Sequence, residues 1–204
     1  MNTDILFELV EQYDIITIYR HVSPDADALG SQFGLKQWIQ ETYPDKQVYA
    51  LGRDAGSKQS LFADMDIADD ETVAASLAII LDTANGVRVD DERWSTAAYT
   101  LKIDHHIIVE RFADVEVVED LFGATCEMLA YMFEQKKLAL SARCAQYLYG
   151  GIIADTLRFS IATIKPRTLR TAAYLLEMGV DVKKANEDNF STSYRLYCFE
   201  NYIR

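Results

Sequence analysis

The chain has 204 residues, 50% hydrophobic and 25% charged, which is ordinary usage for one globular domain whose core needs no covalent staples. A net charge of −12 excludes a long nucleic-acid groove, which would need clustered Lys and Arg, and leaves small phosphorylated ligands open. Three widely spaced cysteines without a CxxC pair, an acidic start with no basic leader, and apolar runs far short of the roughly 20 residues that cross a bilayer exclude a disulfide scaffold, secretion and membrane insertion, and so predict a reduced, cytoplasmic protein.

A short amphipathic helix opening near Thr3 or Asp4 comes first, followed by the β-branched run Ile15 to Tyr19, which reads as a buried strand ending at His21. A helix is expected over 29–41, with Gly30, Ser31 and Gly34 allowing close approach to the sheet. Strands are expected over 47–51, 77–81, 97–103 and 115–118, and the acidic stretch holding Asp64, Asp66, Asp69, Asp70 and Glu71 reads as solvated surface. Helical signals then dominate: 123–135, 141–154 with Ser141 as its cap, and 166–178, with Pro166 in the first turn and Gly179 at the stop. The last stretch, 191–204, spaces Tyr194, Tyr197, Cys198 and Tyr202 as a helix does and stops without a cap, so it reads as a helix cut within an element. Strands alternating with helices predict an α/β fold, a mostly parallel sheet with helices on both faces.

All three histidines fall in two acidic segments that each follow a strand-like run, His21-Val-Ser-Pro-Asp25-Ala-Asp27 and Asp104-His105-His106. Asp82 follows the third strand, and Asp155 follows the apolar run 148–154. The carboxyl ends of adjacent parallel strands open on one crevice, so these groups are expected to meet in space. Carboxylates gathered so closely need neutralising, and imidazole with carboxylate is the donor set for a divalent cation. Taken singly, each has a plainer reading: Asp-x-Asp as a turn or helix cap, Asp82 as an Asx-turn, the His pair as a loop feature. Together, at successive strand ends, they point to a metal site.

His21-x3-Asp25-x-Asp27-x2-Gly30-Ser31, Leu81-Asp82-Thr83-Ala84-Asn85, Asp104-His105-His106 and Gly151-Ile-Ile-Ala-Asp155-Thr156 resemble, in order, the four motifs of the DHH phosphoesterase superfamily. The resemblance runs from Ile15 to about Asp181 and is strongest to a bacterial branch of oligoribonucleases acting on very short RNA, 3′-phosphoadenosine 5′-phosphate phosphatases and cyclic dinucleotide phosphodiesterases. It implies two divalent ions, manganese by family habit: His21 and Asp25 on the first, Asp27, His105 and Asp155 on the second, and Asp82 bridging both. It further implies that Asp104 orients a histidine and that His106 faces the substrate phosphate, so Asp82, Asp104 and His106 carry the catalysis. Arg158 is a weaker candidate for phosphate contact. The chain departs from the family pattern in carrying Leu157 where Asp-Thr-Gly-x-Phe has glycine, and it lacks the Gly-Gly-Gly-His type motif of the second, substrate-binding domain.

The resemblance therefore implies a catalytic DHH domain over 1–190, with 191–204 starting a connector to a C-terminal substrate-binding domain. The implied reaction is hydrolysis of a small nucleotide phosphoester or short RNA by a water activated between two cations. An inorganic pyrophosphatase of the same superfamily and a non-catalytic, metal-dependent nucleotide-binding module are the alternatives. A homodimer remains open.

Overall fold

The computed structural model describes residues 3–56, 60–162 and 164–190; the predicted helix 191–204 and Cys198 lie outside the described residues. Five parallel strands, β1 (Ile15–Tyr19), β2 (Gln47–Ala50), β3 (Leu77–Leu81), β4 (Tyr99–Asp104) and β5 (Val115–Val118), form one sheet in the order β2-β1-β3-β4-β5. Side chains alternate across it as the pleat requires. Ile16, Ile18, Leu77, Ile79, Leu81, Leu101, Ile103 and Val117 join the large core on one face, and Tyr19, Ala78 and Ile80 join a smaller cluster on the other.

The large core is shared with α1 (Ile5–Gln12), α2 (Ala26–Thr42), α4 (Thr125–Gln135), α5 (Ala142–Asp155) and α6 (Pro166–Glu177). The smaller cluster draws instead on Val73 of the short helix α3 (Asp70–Ala74) and on Trp94 of a 3-10 turn, Glu92–Thr96. Helix α7 (Val182–Phe190) lies on the outer side of α5, burying only Ala185.

The acidic run is exposed at Asp64, Asp69, Asp70 and Glu71, as a solvated surface should be, and it also holds α3, whose cap Asp69 accepts from the Thr72 amide at 2.8 Å. Two sequence expectations need correcting. Gly30 and Gly34 bring α2 close to α5 rather than to the sheet: a Cβ on Gly30 would lie 2.6 Å from the Tyr147 carbonyl, and one on Gly34 2.8 Å from Leu148. Asp155 is the last residue of a helix, not a strand-end residue, and reaches the strand ends because α5 packs against α2 and α4.

Candidate metal centre

Strand β1 delivers Arg20 and His21 to the switch point between β1 and β3, where the connections run off in opposite directions and open a crevice. Arg20 is fully buried; its guanidinium pairs with the Asp90 carboxylate and donates to the Asp54 carbonyl at 2.6 Å and the His21 carbonyl at 3.2 Å. One cation thereby pins the loops after β2 and β3 to the His21 backbone. Sequence reasoning passed over Arg20 and Asp90, although an arginine closing an apolar strand was a visible signal. His21 Nδ1 lies 2.8 Å from the Val22 carbonyl, which holds a proton on Nδ1 and turns Nε2 toward Asp25 Oδ2 at 3.7 Å and Asp82 Oδ2 at 3.5 Å.

Both carboxylates of Asp25-Ala-Asp27 cap a helix and also face the cluster. Asp25 Oδ1 accepts from the amides of Asp27 and Ala28 at 3.0 Å each, which starts α2 at Ala26 and leaves Oδ2 for His21. Asp27 is wholly buried and caps a different helix. The local cap position of α4 is Ala124, which offers no side-chain acceptor; Asp27 Oδ2 and Oδ1 accept instead from the Thr125 and Cys126 amides at 2.7 and 2.9 Å. Nothing local marks Thr125 and Cys126 as part of a site. Gly151 makes room for this arrangement, since a Cβ there would lie 2.9 Å from Asp27 Oδ1.

Asp82 stands at the centre. Its side chain is 1% exposed and its φ of 51° is left-handed, a strained backbone for a residue with a Cβ. Oδ2 faces His21, while Oδ1 lies 3.4 Å from His105 Nε2, 3.5 Å from His106 Nδ1 and 3.3 Å from the Thr125 hydroxyl that donates to it.

Strand β4 supplies the histidine pair. His105 Nδ1 approaches the Phe122 carbonyl at 3.4 Å, and its Nε2 faces Asp155 Oδ2 at 3.4 Å and Asp27 Oδ2 at 3.8 Å. Asp104 Oδ1 accepts from the His106 ring at 2.7 Å and from its amide at 3.2 Å, and Oδ2 pairs with fully buried Lys102 at 3.2 Å. Lys102 also donates to the Ala84 carbonyl at 3.2 Å and sits over the Phe112 ring. A lysine between Leu101 and Ile103, inside a buried strand, was the overlooked sign of this support. His106 is the most open of the three histidines, its side chain 46% exposed.

Asp155 ends α5 in a Schellman turn: the Arg158 amide donates to Ile153 at 2.8 Å and the Leu157 amide to Ala154 at 3.2 Å. Leu157, Arg158 and Phe159 are all left-handed, with φ of 46°, 58° and 61°. Leu157 thus occupies the position where such a turn favours glycine. Arg158 is the candidate not brought to the cluster; its guanidinium donates to Asn186 at 3.0 Å and stacks on Phe190, both on α7.

The electrostatics of the cluster are those of charges crowded out of water. Burial and the neighbouring Asp82 and Asp155 raise the Asp27 carboxyl well above its ordinary value. Burial, with the charges of Asp82 and Asp25, raises Asp155 against the pull of His105. Burial would depress both ligand-type histidines, yet the carboxylates overrule it: Asp25 and Asp82 push His21 up to about 10, and Asp155 and Asp82 push His105 up to about 11. Asp82 is held low by His105 and His21 despite its burial.

A divalent cation fits these groups. His105 Nε2 is buried without a hydrogen-bond partner while three carboxylate oxygens surround it at 3.4 to 3.8 Å, slightly wider than the ligand-to-ligand spacing of about 3 Å around a six-coordinate cation. His21–Asp25–Asp82 and Asp27–His105–Asp155 form two convergent donor sets, and Asp82 also faces His105 and His106.

Residues 15–152 match the DHH family, N-terminal domain. The chain is 39% identical over 182 residues to the uncharacterized protein MG371 of Mycoplasma genitalium, covering 87% of this chain and 56% of the relative. It is 36% identical over 180 residues to the bifunctional oligoribonuclease and PAP phosphatase NrnA of Bacillus subtilis, covering 87% of this chain and 57% of the relative. The chain thus spans little more than half the length of these relatives. An exopolyphosphatase-related protein from Bacteroides fragilis superposes with a TM-score of 0.87 at 22% identity, over 98% of this chain and 64% of that one, and shares the fold. The five-stranded parallel sheet, the ordered motifs at its carboxyl edge and the match across most of their span place this chain in the DHH family.

Proposed function

We propose that residues 1–190 are the catalytic domain of a manganese-dependent phosphoesterase that hydrolyses small nucleotide phosphoesters: short oligoribonucleotides, 3′-phosphoadenosine 5′-phosphate or dinucleotides. The observation that carries this reading is the division of Asp82, with Oδ2 toward His21 and Asp25 and Oδ1 toward His105 and its partners. One carboxylate shared between two donor sets is the arrangement a two-ion centre requires. His21 and Asp25 would hold one ion, Asp27, His105 and Asp155 the other, and Asp82 both. When bound, such ions acidify water and neutralise charge on the phosphoryl group. The protein's own groups do the rest. Asp104, charge-balanced by Lys102, holds the His106 ring at the open side of the cluster, where it can donate to a phosphoryl oxygen or the leaving group. Thr125 and the α4 amides keep Asp82 and Asp27 oriented without rearrangement.

The relatives' extra length supports placing base and remote phosphate recognition in a further C-terminal domain, to which 191–204 would connect. The exposed apolar run Ile107, Ile108 and Val109, leaving the cluster directly after His106, is the surface such a domain would cover. Cytoplasmic action accords with nucleotide substrates, with two buried free cysteines, and with the finding that no helix among the described residues is long and apolar enough to cross a membrane.

The test combines metal analysis with a panel of diadenylate, 3′-phosphoadenosine 5′-phosphate, cyclic di-AMP and pyrophosphate. Two manganese ions per chain, turnover only with metal, and loss of both ions in Asp82→Ala are expected. A single ion retained in Asp82→Ala removes the bridge, and preferential hydrolysis of pyrophosphate replaces the nucleotide reading with the pyrophosphatase one.

A further inference from the structure

We propose that Glu127 and Arg167 form a clamp that positions His105 through the tripeptide Leu121-Phe122-Gly123. This rests on the reading of His105 as a metal ligand. The tripeptide follows the edge strand β5, and among the described residues the backbone hydrogen bonds of the sheet end before it, at the one from the Glu119 amide to the Asp104 carbonyl. Its own contacts hold all three residues. Arg167 donates to the Leu121 carbonyl at 2.9 Å, its guanidinium carbon lies 3.4 Å from the centre of the Phe122 ring, and Glu127 Oε2 accepts from the Gly123 amide at 2.9 Å.

The clamp is itself closed. Glu127 has no exposed side-chain surface, and its Oε1 accepts from Arg167 Nε at 3.1 Å and the Thr168 hydroxyl at 2.9 Å, so both oxygens are satisfied and the charge is paired. A fully buried glutamate in the first turn of α4 and an arginine in the first turn of α6 are thus joined across a loop. The loop's middle carbonyl is what His105 Nδ1 meets, at 3.4 Å. That carbonyl can only accept, so the contact holds a proton on Nδ1 and with it the aim of Nε2 at Asp27, Asp82 and Asp155. Gly123 also abuts the neighbour of Asp155: a Cβ on it would lie 3.0 Å from Thr156 Cγ2. The loop therefore bears on both the histidine and the helix end of the second donor set. Glu127 and Arg167 are positioning residues, since neither touches the cluster.

The double variant Glu127→Gln/Arg167→Met removes both charges together, so no unpaired charge is left buried, and Arg167→Lys keeps the cation without the planar fork. Manganese affinity, read by electron paramagnetic resonance on metal-stripped protein, should fall about tenfold to a hundredfold in the double variant at the weaker of two sites. Arg167→Lys should recover part of this loss. In ¹⁵N-histidine spectra of the metal-free protein, the His105 Nδ1 proton should exchange slowly in the wild type and fast in the double variant. That second readout needs neither metal nor activity, so a wild type that binds no manganese would sink the phosphoesterase reading while leaving the clamp testable. Unchanged Nδ1 protection in a folded double variant, or unchanged manganese affinity in a wild type that does bind it, overturns the clamp. If the double variant fails to fold, Arg167→Lys decides alone: slowly exchanging Nδ1 with wild-type affinity overturns the proposal, and faster exchange with weakened affinity supports it.

Discussion

Replacing Leu157 by glycine and by alanine should give opposite signs from those the same pair gives inside a helix. Both variants remove the same side chain, which is 60% exposed, so the lost packing cancels in the comparison. What remains is the backbone. At φ 46° a Cβ crowds the following carbonyl at a cost of about 1–2 kcal/mol, which alanine bears and glycine does not. Glycine gives back about 0.5–1 kcal/mol through its greater freedom in the unfolded chain. The glycine variant should therefore be the more stable by about 0.5–1 kcal/mol, whereas in an ordinary helical position alanine wins by a similar amount. Urea unfolding of the metal-free protein, with slopes checked for equality, resolves such a difference. An alanine variant as stable as the glycine one, or more so, would refute the left-handed Schellman end of α5 and with it the account of how Asp155 is presented.

Gly151→Ala should be strongly destabilising, because its Cβ would sit 2.3 Å from Cys126 Sγ and 3.0 Å from the Asp27 backbone; a melting temperature close to wild type would mean that α5 and α2 are not packed as described. The metal-free protein should lose stability as pH rises from about 6.5 toward 10, because histidines His21 and His105, raised to about 10 and about 11 in the folded state, contribute stability that is full below their unfolded value of 6.5 and disappears through the folded ones. Melting temperatures at pH 6.5 and 9.5 check this, and a metal-free protein equally stable at both would contradict it; added divalent cation should stabilise most at the higher pH, where fewer protons compete for the same nitrogens. Ser141→Ala should cost about 1 kcal/mol by uncapping α5, where the serine hydroxyl accepts from the Cys144 amide at 3.2 Å, and equal denaturation midpoints would show the cap to be idle.

The strands and most helix cores were readable because burial imposes a period: Leu77 to Leu81 is apolar throughout since both faces of β3 are covered, and α5 carries its own serine cap. α7 escaped because Val182–Phe190 buries one residue and shows no apolar stripe. The histidines and aspartates of the cluster were legible as residue types, at strand ends for all but Asp155, which closes α5. Of their supports, Arg20 and Lys102 left a signal in the sequence, but the amides of Gly123, Thr125 and Cys126 did not, for a chemical reason: every residue but proline possesses such an amide, so no side-chain pattern announces it. The start of α4 at Thr125 rather than at Gly123 has the same origin, since the acceptor that sets it lies in Asp27. Arg158 misled because a cation next to a motif looks like a phosphate contact until α7, itself unseen, supplies Asn186 and Phe190.

The cap that Asp27 provides to α4 bridges 98 residues of chain. Contacts of such sequence separation are expected to form after the local helices. On that expectation the carboxylate cluster is absent from the folding transition state and complete only in the native protein. A cation held there would leave the refolding rate nearly unchanged and lower the unfolding rate, lengthening the lifetime of the folded chain. Stopped-flow traces with and without divalent cation would show one arm of the chevron moving while the other stays in place.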